Sequence, residues 1–362
     1  YRGKPVMTST LKTLLRFEGY PALQNKMFDT RQAALNSPTG DIHLVECLQT
    51  GLVYNAAFEP DLVVYDQDYE NDQGFSPRFE AHLKDVADLV LEQMRGPSFV
   101  EIGCGMGRFL QVLRERGGQV RGYDPAYVGD DGDIVSAPFT GQEPLAGSHI
   151  VLRHVLEHVP DPVGFLADMA AKADPGTLIY IEVPCFDWIC EARAWFDIFY
   201  EHVNYFRLSD FHNMFGRVLF ADRGFDGQYL RVICDLSTLR VPTYRPDHAV
   251  RFPDDFMKGV EEEVSAQQGA QPVIWGGASK GVIYALLCQR AGCAVQRVID
   301  INPAKQGRFL ASTGLEVMSA EAGLKDLPAG TEITVMNANY LDEIQSIVGD
   351  RFKLRGMFSG SV

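Results

Sequence analysis

Gly103, Gly105 and Gly107, with Glu101 just ahead of them, form the segment of this chain best suited to holding a ligand. They follow a short apolar run, Ser98 to Ile102. Lacking a Cβ, they let backbone N–H groups at the start of a helix come close to a bound molecule. Asp124 lies 21 residues beyond Gly103. It ends the next apolar run, where a carboxylate can accept both hydroxyls of an adenosine ribose. NAD, FAD and S-adenosylmethionine sites all use such turns, and a turn that serves packing alone is the remaining alternative. Glu101 separates the ligands: an acid two residues before the first glycine is awkward for a pyrophosphate and suits a cation. A methionine sulfonium carries both an ammonium and a positive sulfur. A second turn, Gly276 to Gly281 with Lys280 inside it, suits an anion such as a diphosphate, or serves packing.

Such turns need a strand before them and a helix after them. Phe79, Leu83, Val86 and Val90 mark one helical face, and Ser98 to Ile102 reads as a buried strand. Phe109, Leu110 and Leu113 predict a helix that stops at Gly117 and Gly118. Strands follow at 120–123, 150–152 and 177–183, with a helix over 162–173. This alternation predicts an α/β fold, a Rossmann-like parallel sheet covered on both faces. A second Rossmann-like unit follows, with strands at 273–275, 295–300 and 331–336 and helices at 282–290 and 341–348. The stretch 239–253 carries three prolines and reads as a linker. The expected organisation is therefore an irregular N-terminal region over 1–76, a ligand-binding core over 77–238 and a C-terminal domain over 254–362.

Composition removes other classes of protein. Apolar residues make up 46% and charged residues 22%, which excludes a disordered or collagen-like chain. Lys plus Arg is 33 against 48 Asp plus Glu, so 33 − 48 = −15. Without a basic run, such a chain repels phosphate backbones, and nucleic acid is not expected as a partner. No apolar stretch approaches the ~20 residues of a membrane span, so no membrane association is expected. The start, Tyr1 to Val6, lacks Met and an apolar signal core and reads as a chain that begins after a tag or a disordered leader. Seven cysteines without a CxxC pair predict reduced thiols and a cytoplasmic protein.

The glycine turn and Asp124 resemble motif I and the following acidic motif of class I S-adenosylmethionine-dependent methyltransferases. Val151-Leu-Arg-His-Val-Leu-Glu-His158-Val-Pro-Asp-Pro162 resembles that family's segment after strand four, and 177–184 the strand that follows. The resemblance implies S-adenosylmethionine as cofactor, with Glu101, Gly103, Cys104, Gly105, Asp124 and Pro125 in contact with it. It places Ala137 and Phe139 beside the adenine and Arg153 and His154 at the methionine end. The C-terminal runs 273–281, 298–310 and 336–344 resemble the last domain of the sugar C-methyltransferases of deoxysugar biosynthesis. Those enzymes have a small zinc-binding domain, a methyltransferase core and this Rossmann-like domain. They methylate a carbon next to the ketone of a nucleotide-linked 4-keto sugar. Here the N-terminal domain is degenerate. The first of the family's cysteine pairs is absent and Thr50 stands beside Cys47 in the second, so neither zinc nor any other metal is expected.

The family's Tyr-x-Glu-His element matches Glu201 and His202, but the tyrosine position holds Phe199. The resemblance implies His202 as base, Glu201 as its support, and His158 with Tyr69 holding the developing oxyanion. Tyr65, Tyr200, Lys280, Asn302, Asn339 and Tyr340 are the implied acceptor contacts. A small molecule, nucleotide-linked in this reading, is the expected partner of a monomer or dimer. The alternative enzyme is an N- or O-methyltransferase acting on a different small metabolite or natural-product intermediate. A cofactor-binding protein without turnover and an NAD(P) oxidoreductase are the further alternatives. Glu101 and the Leu156-Glu-His158 segment disfavour the last.

Overall fold

The computed structural model describes residues 10–65, 69, 74–96, 98–140, 143, 145, 147–267 and 271–357. The opening residues read above as following a leader lie outside these. Ser98–Ile102 is a strand with its last four residues buried, as its unbroken apolar character requires. It lies in the middle of the five parallel strands of a seven-stranded sheet. Gln119–Tyr123 and Ile134–Val135 add on one side, and His149–Arg153 and Leu178–Pro184 on the other, all parallel. The chain thus reverses its direction of travel beside Ser98–Ile102. That switch point opens a crevice at the C-terminal ends of the strands. Tyr229–Asp235 joins antiparallel beside Leu178–Pro184 and Val218–Gly224 pairs antiparallel with it in turn, pairings that the helix–strand alternation did not predict. Helix Pro77–Met94 covers it with Phe79, Leu83, Val86 and Val90 buried, and Ser76 caps its start by accepting from the Phe79 N–H.

A second sheet of five parallel strands repeats the arrangement. Val273–Trp275 is central, flanked by Arg297–Ile299 and Val317–Met318 on one side and Glu332–Val335 and Lys353–Gly356 on the other. Helix Ser279–Arg290 packs on it with Gly281 through Cys288 buried.

The N-terminal region is not irregular. Leu11–Pro21 pairs antiparallel with Thr39–Cys47, which pairs with Val53–Asn55. The last strand of that sheet is Asn204–Tyr205, from the middle unit. Two register shifts in the long pair interrupt the period of two that would have announced it. Cys47 is a buried core thiol there, and the Thr50 hydroxyl accepts from the Leu52 N–H. The stretch 239–253 is also less free than a linker. His248 O accepts from Arg207 at 2.6 Å, and the buried Val250 donates to Glu46 at 2.8 Å. Among the described residues no helix is long and apolar enough to cross a membrane.

Candidate active site

Gly103, Gly105 and Gly107 have φ of 72°, 55° and 78°, a conformation that costs a side chain dearly. A Cβ on Gly103 would lie 2.3 Å from Val155, whereas a Cβ on Gly105 would meet nothing within 4 Å, so the turn has one packed and one open side. Asp124 braces it, accepting from the Gly105 and Ala126 N–H groups at 2.8 Å each. Glu101 is buried and its Oε2 has no hydrogen-bond partner among the described residues. Burial, opposed by Arg153, pushes its carboxyl up to about 8. An orphaned buried carboxyl next to an open glycine turn fits a ligand that brings an ammonium. The Cys104 thiol, raised by burial, lies behind the turn, with Pro125 exposed beside Asp124. Ala137 is half-buried, and Phe139 stands edge-on to Tyr123 at 5.4 Å.

Behind this turn lies a residue that sequence reasoning passed over. Glu182, on Leu178–Pro184 and fully buried, accepts from Arg153 Nη2 and from the Tyr180 hydroxyl, both at 2.8 Å. His82 Nε2 lies 3.1 Å from the same carboxylate and His154 Nε2 3.2 Å. Burial opposes its charge, yet Arg153, His154 and His82 hold it well below the ordinary carboxylate range. Arg153 also lies over the Phe109 ring at 4.6 Å. His154 occupies a left-handed turn (φ 54°) against Tyr229, with Nδ1 3.5 Å from Glu157. Burial works against its protonated form, but Glu157 and Glu182 outweigh it and raise the imidazole to about 9.

The histidines expected to act on the acceptor do come together. His158 and His202 stand edge to face at 4.9 Å. Their supports differ from the expectation. Glu201, buried, accepts from the Tyr69 hydroxyl at 2.7 Å and the Gln24 N–H at 3.1 Å, and its carboxylate is 3.9 Å from His158. It therefore backs His158, not its sequence neighbour His202, because successive side chains point apart. His158 Nδ1 is 3.0 Å from the Glu201 carbonyl, which can only accept, so that nitrogen carries the proton. The Tyr65 hydroxyl lies at the same distance from it. His202 Nδ1 has no partner among the described residues. Burial, with the positive charges of His154 and Lys280 nearby, holds His202 well below the usual imidazole range, hence neutral. Burial, then Glu201, raises the Tyr69 hydroxyl. The Phe199 ring stands edge-on to His202 at 4.8 Å.

These groups open into a cavity of about 220 Å³ that the second glycine turn closes from the other side. Asp300 repeats the part of Asp124, accepting from Gly277 and Asn302 N–H groups at 2.8 Å each. Lys280 lines the cavity, 3.0 Å from Asp197 and 2.9 Å from Gln228, over the Trp188 ring. Asn302, Lys305 and Tyr340 line it too. Three expected acceptor contacts do not, Tyr65 among them, whose hydroxyl meets His158 Nδ1 at 3.0 Å. Tyr200 is fully buried against Phe58, and its hydroxyl accepts from the Glu59 N–H at 2.7 Å. Asn339 turns away to donate to the Phe225 carbonyl at 3.1 Å. Ligand-type atoms of Glu157, His158 and His202 fall within 4.8 Å of one another.

Likenesses to known proteins add to this geometry. Residues 76–223 match the model of a family described as a methyltransferase domain. Over 153 residues the chain is 29% identical to the C-methyltransferase NovU of Streptomyces niveus, covering 37% of this chain and 36% of that protein. The chain thus matches about a third of that relative's length. Among solved structures, the 1,6-didemethyltoxoflavin-N1-methyltransferase of Burkholderia thailandensis aligns with a TM-score of 0.33 and 15% identity, over 43% of this chain and 78% of that one. An S-adenosylmethionine-dependent methyltransferase of Mesorhizobium loti aligns with a TM-score of 0.33 and 14% identity, over 41% and 95%. The middle unit is a methyltransferase domain of Rossmann-like fold.

Proposed function

We propose that this domain takes a methyl group from S-adenosylmethionine and places it on the carbon next to the ketone of a nucleotide-linked keto sugar. The cofactor supplies an electrophilic methyl on a positive sulfur. Glu101 and Arg153 are suited to its ammonium and carboxylate ends, and Asp124 to its ribose. The carbon acceptor is the finer part of the reading. It draws on the likeness to NovU, on the sugar C-methyltransferase resemblance of the C-terminal unit, and on the histidine pair.

That pair is the observation that carries it. A carbon next to a ketone must lose a proton of pKa far above 7, which takes a base and a donor to the growing oxyanion. His158 has its Nδ1 proton fixed by the Glu201 carbonyl, which leaves Nε2 as the atom that can accept a proton. It is the better base. His202, held neutral, is the better donor to the enolate oxygen, since a neutral imidazole gives a closer acid-strength match to an enol than an imidazolium does. The nucleotide part would lie along the Gly276–Gly281 turn, with Lys280 and Lys305 facing its diphosphate.

Exchange of the acceptor's α-proton with deuterated water, without methyl donor, tests this. Wild type exchanges. His158→Ala does not, and His202→Ala slows exchange by about 10²-fold while both variants keep their affinity for S-adenosylhomocysteine. Exchange intact in His158→Ala would refute the assignment of the base. No exchange in wild type on an acceptor that is methylated would favour N- or O-methylation. That second reading has one observation behind it: Phe199 stands where the sugar enzymes carry a tyrosine.

A further inference from the structure

Glu157 precedes His158 in the short turn Leu156–His158, is 1% exposed and lines the acceptor cavity. Neither of its carboxylate oxygens receives a hydrogen bond among the described residues. The nearest cation, His154 Nδ1, is 3.5 Å from Oε1, beyond good hydrogen-bonding distance, and Oε2 has no partner. Buried carboxylates are otherwise satisfied, because desolvation without compensation is costly. Glu157 lines the same cavity as the histidine pair, and its two unpaired oxygens therefore call for a donor that the ligand brings.

We propose that Glu157 receives a hydrogen-bond-donating group of the acceptor, a hydroxyl or an ammonium on a carbon flanking the reacting one, and that His154 positions it. The assignment rests on the keto-sugar reading above. The short distances between Glu157, His158 and His202, whose ligand-type atoms all fall within 4.8 Å of one another, place the donor close to the reacting carbon. His154 is fixed on its other edge by Glu182 at 3.2 Å and by its left-handed backbone, so its Nδ1 faces Glu157. His154 thus serves the acceptor side, where the resemblance had placed it with the cofactor.

The test uses the full chain saturated with S-adenosylhomocysteine and two probes, a dTDP-linked 4-keto-6-deoxy sugar with a hydroxyl at the carbon flanking the methylated one and its counterpart lacking that hydroxyl. Glu157→Gln weakens binding of the hydroxylated sugar at least tenfold and of the deoxy sugar less than twofold, with S-adenosylhomocysteine affinity unchanged. His154→Gln loses part of the same discrimination, with KM for the hydroxylated sugar rising more than kcat falls. Equal weakening of both sugars, or of neither, overturns the role of Glu157 and leaves the keto-sugar reading standing. Wild type that binds S-adenosylhomocysteine but neither sugar overturns both. Should Glu157→Gln lose its cooperative melt, Glu157→Asp replaces it, with an intermediate loss expected on the hydroxylated sugar alone.

Discussion

Glu101 gives the cofactor assignment a proton to count. With its carboxyl pushed up to about 8, Henderson–Hasselbalch arithmetic leaves it about nine-tenths protonated at pH 7 in the free protein. An arriving ammonium favours the ionised form, so binding of S-adenosylhomocysteine at pH 7 should release up to about 0.9 proton per site. Isothermal calorimetry in two buffers of very different ionisation enthalpy reads this directly as the difference in observed heat. Glu101→Gln, which has no proton to lose, should bind at least tenfold more weakly and show the same heat in both buffers. Equal heats for wild type would mean that no carboxyl at this turn changes its protonation when the ligand enters. The argument from the orphaned oxygen would then be wrong.

Three more outcomes follow from the same contacts. Glu182→Gln strips a fully buried carboxylate from Arg153, His154 and His82 and should lower unfolding stability by about 3–5 kcal/mol in urea titrations. The His154 imidazole is raised from about 6.5 to about 9, so its contribution, about 3 kcal/mol, is complete below pH 6.5 and lost as pH rises through 9. Glu182→Gln should flatten that slope, and an unchanged slope would count against the pairing. Gly103→Ala forces φ of 72° on a side chain 2.3 Å from Val155 and should weaken S-adenosylhomocysteine about tenfold, whereas unaltered affinity would show that the turn does not approach the ligand. Tyr200→Phe should cost about 1 kcal/mol and leave turnover as it was, since its hydroxyl meets only Glu59 backbone; a large loss of turnover would return it to the acceptor site.

The glycine turns and Asp124 were legible because their role depends on residue type at fixed spacing along one strand–turn–helix unit. Asp300 obeyed the same rule, and its contacts with Gly277 and Asn302 copy those of Asp124. Glu182 left only a faint signal, one acid inside the apolar strand Leu178–Pro184, and none of its four partners neighbours it apart from Tyr180. The support of His158 by Glu201 was illegible for a similar reason. Their distance is set by the sheet that joins Val53–Asn55 to Asn204–Tyr205, and bulges hid that sheet's alternation. Tyr200 was misread because a tyrosine beside a catalytic pair looks functional, while burial on the opposite side of the chain is a matter of packing.

Met27–Phe28 pairs with Phe309–Leu310, Arg308 reaches back 281 positions to the Met27 carbonyl, and Asn25 accepts from Ser279 while donating to Tyr69. A ribosome delivers these partners far apart in time. Tyr69, which donates to Glu201, takes its hydrogen bond from an Asn25 that Ser279 holds in turn, so its full setting is completed only once the last third of the chain has emerged.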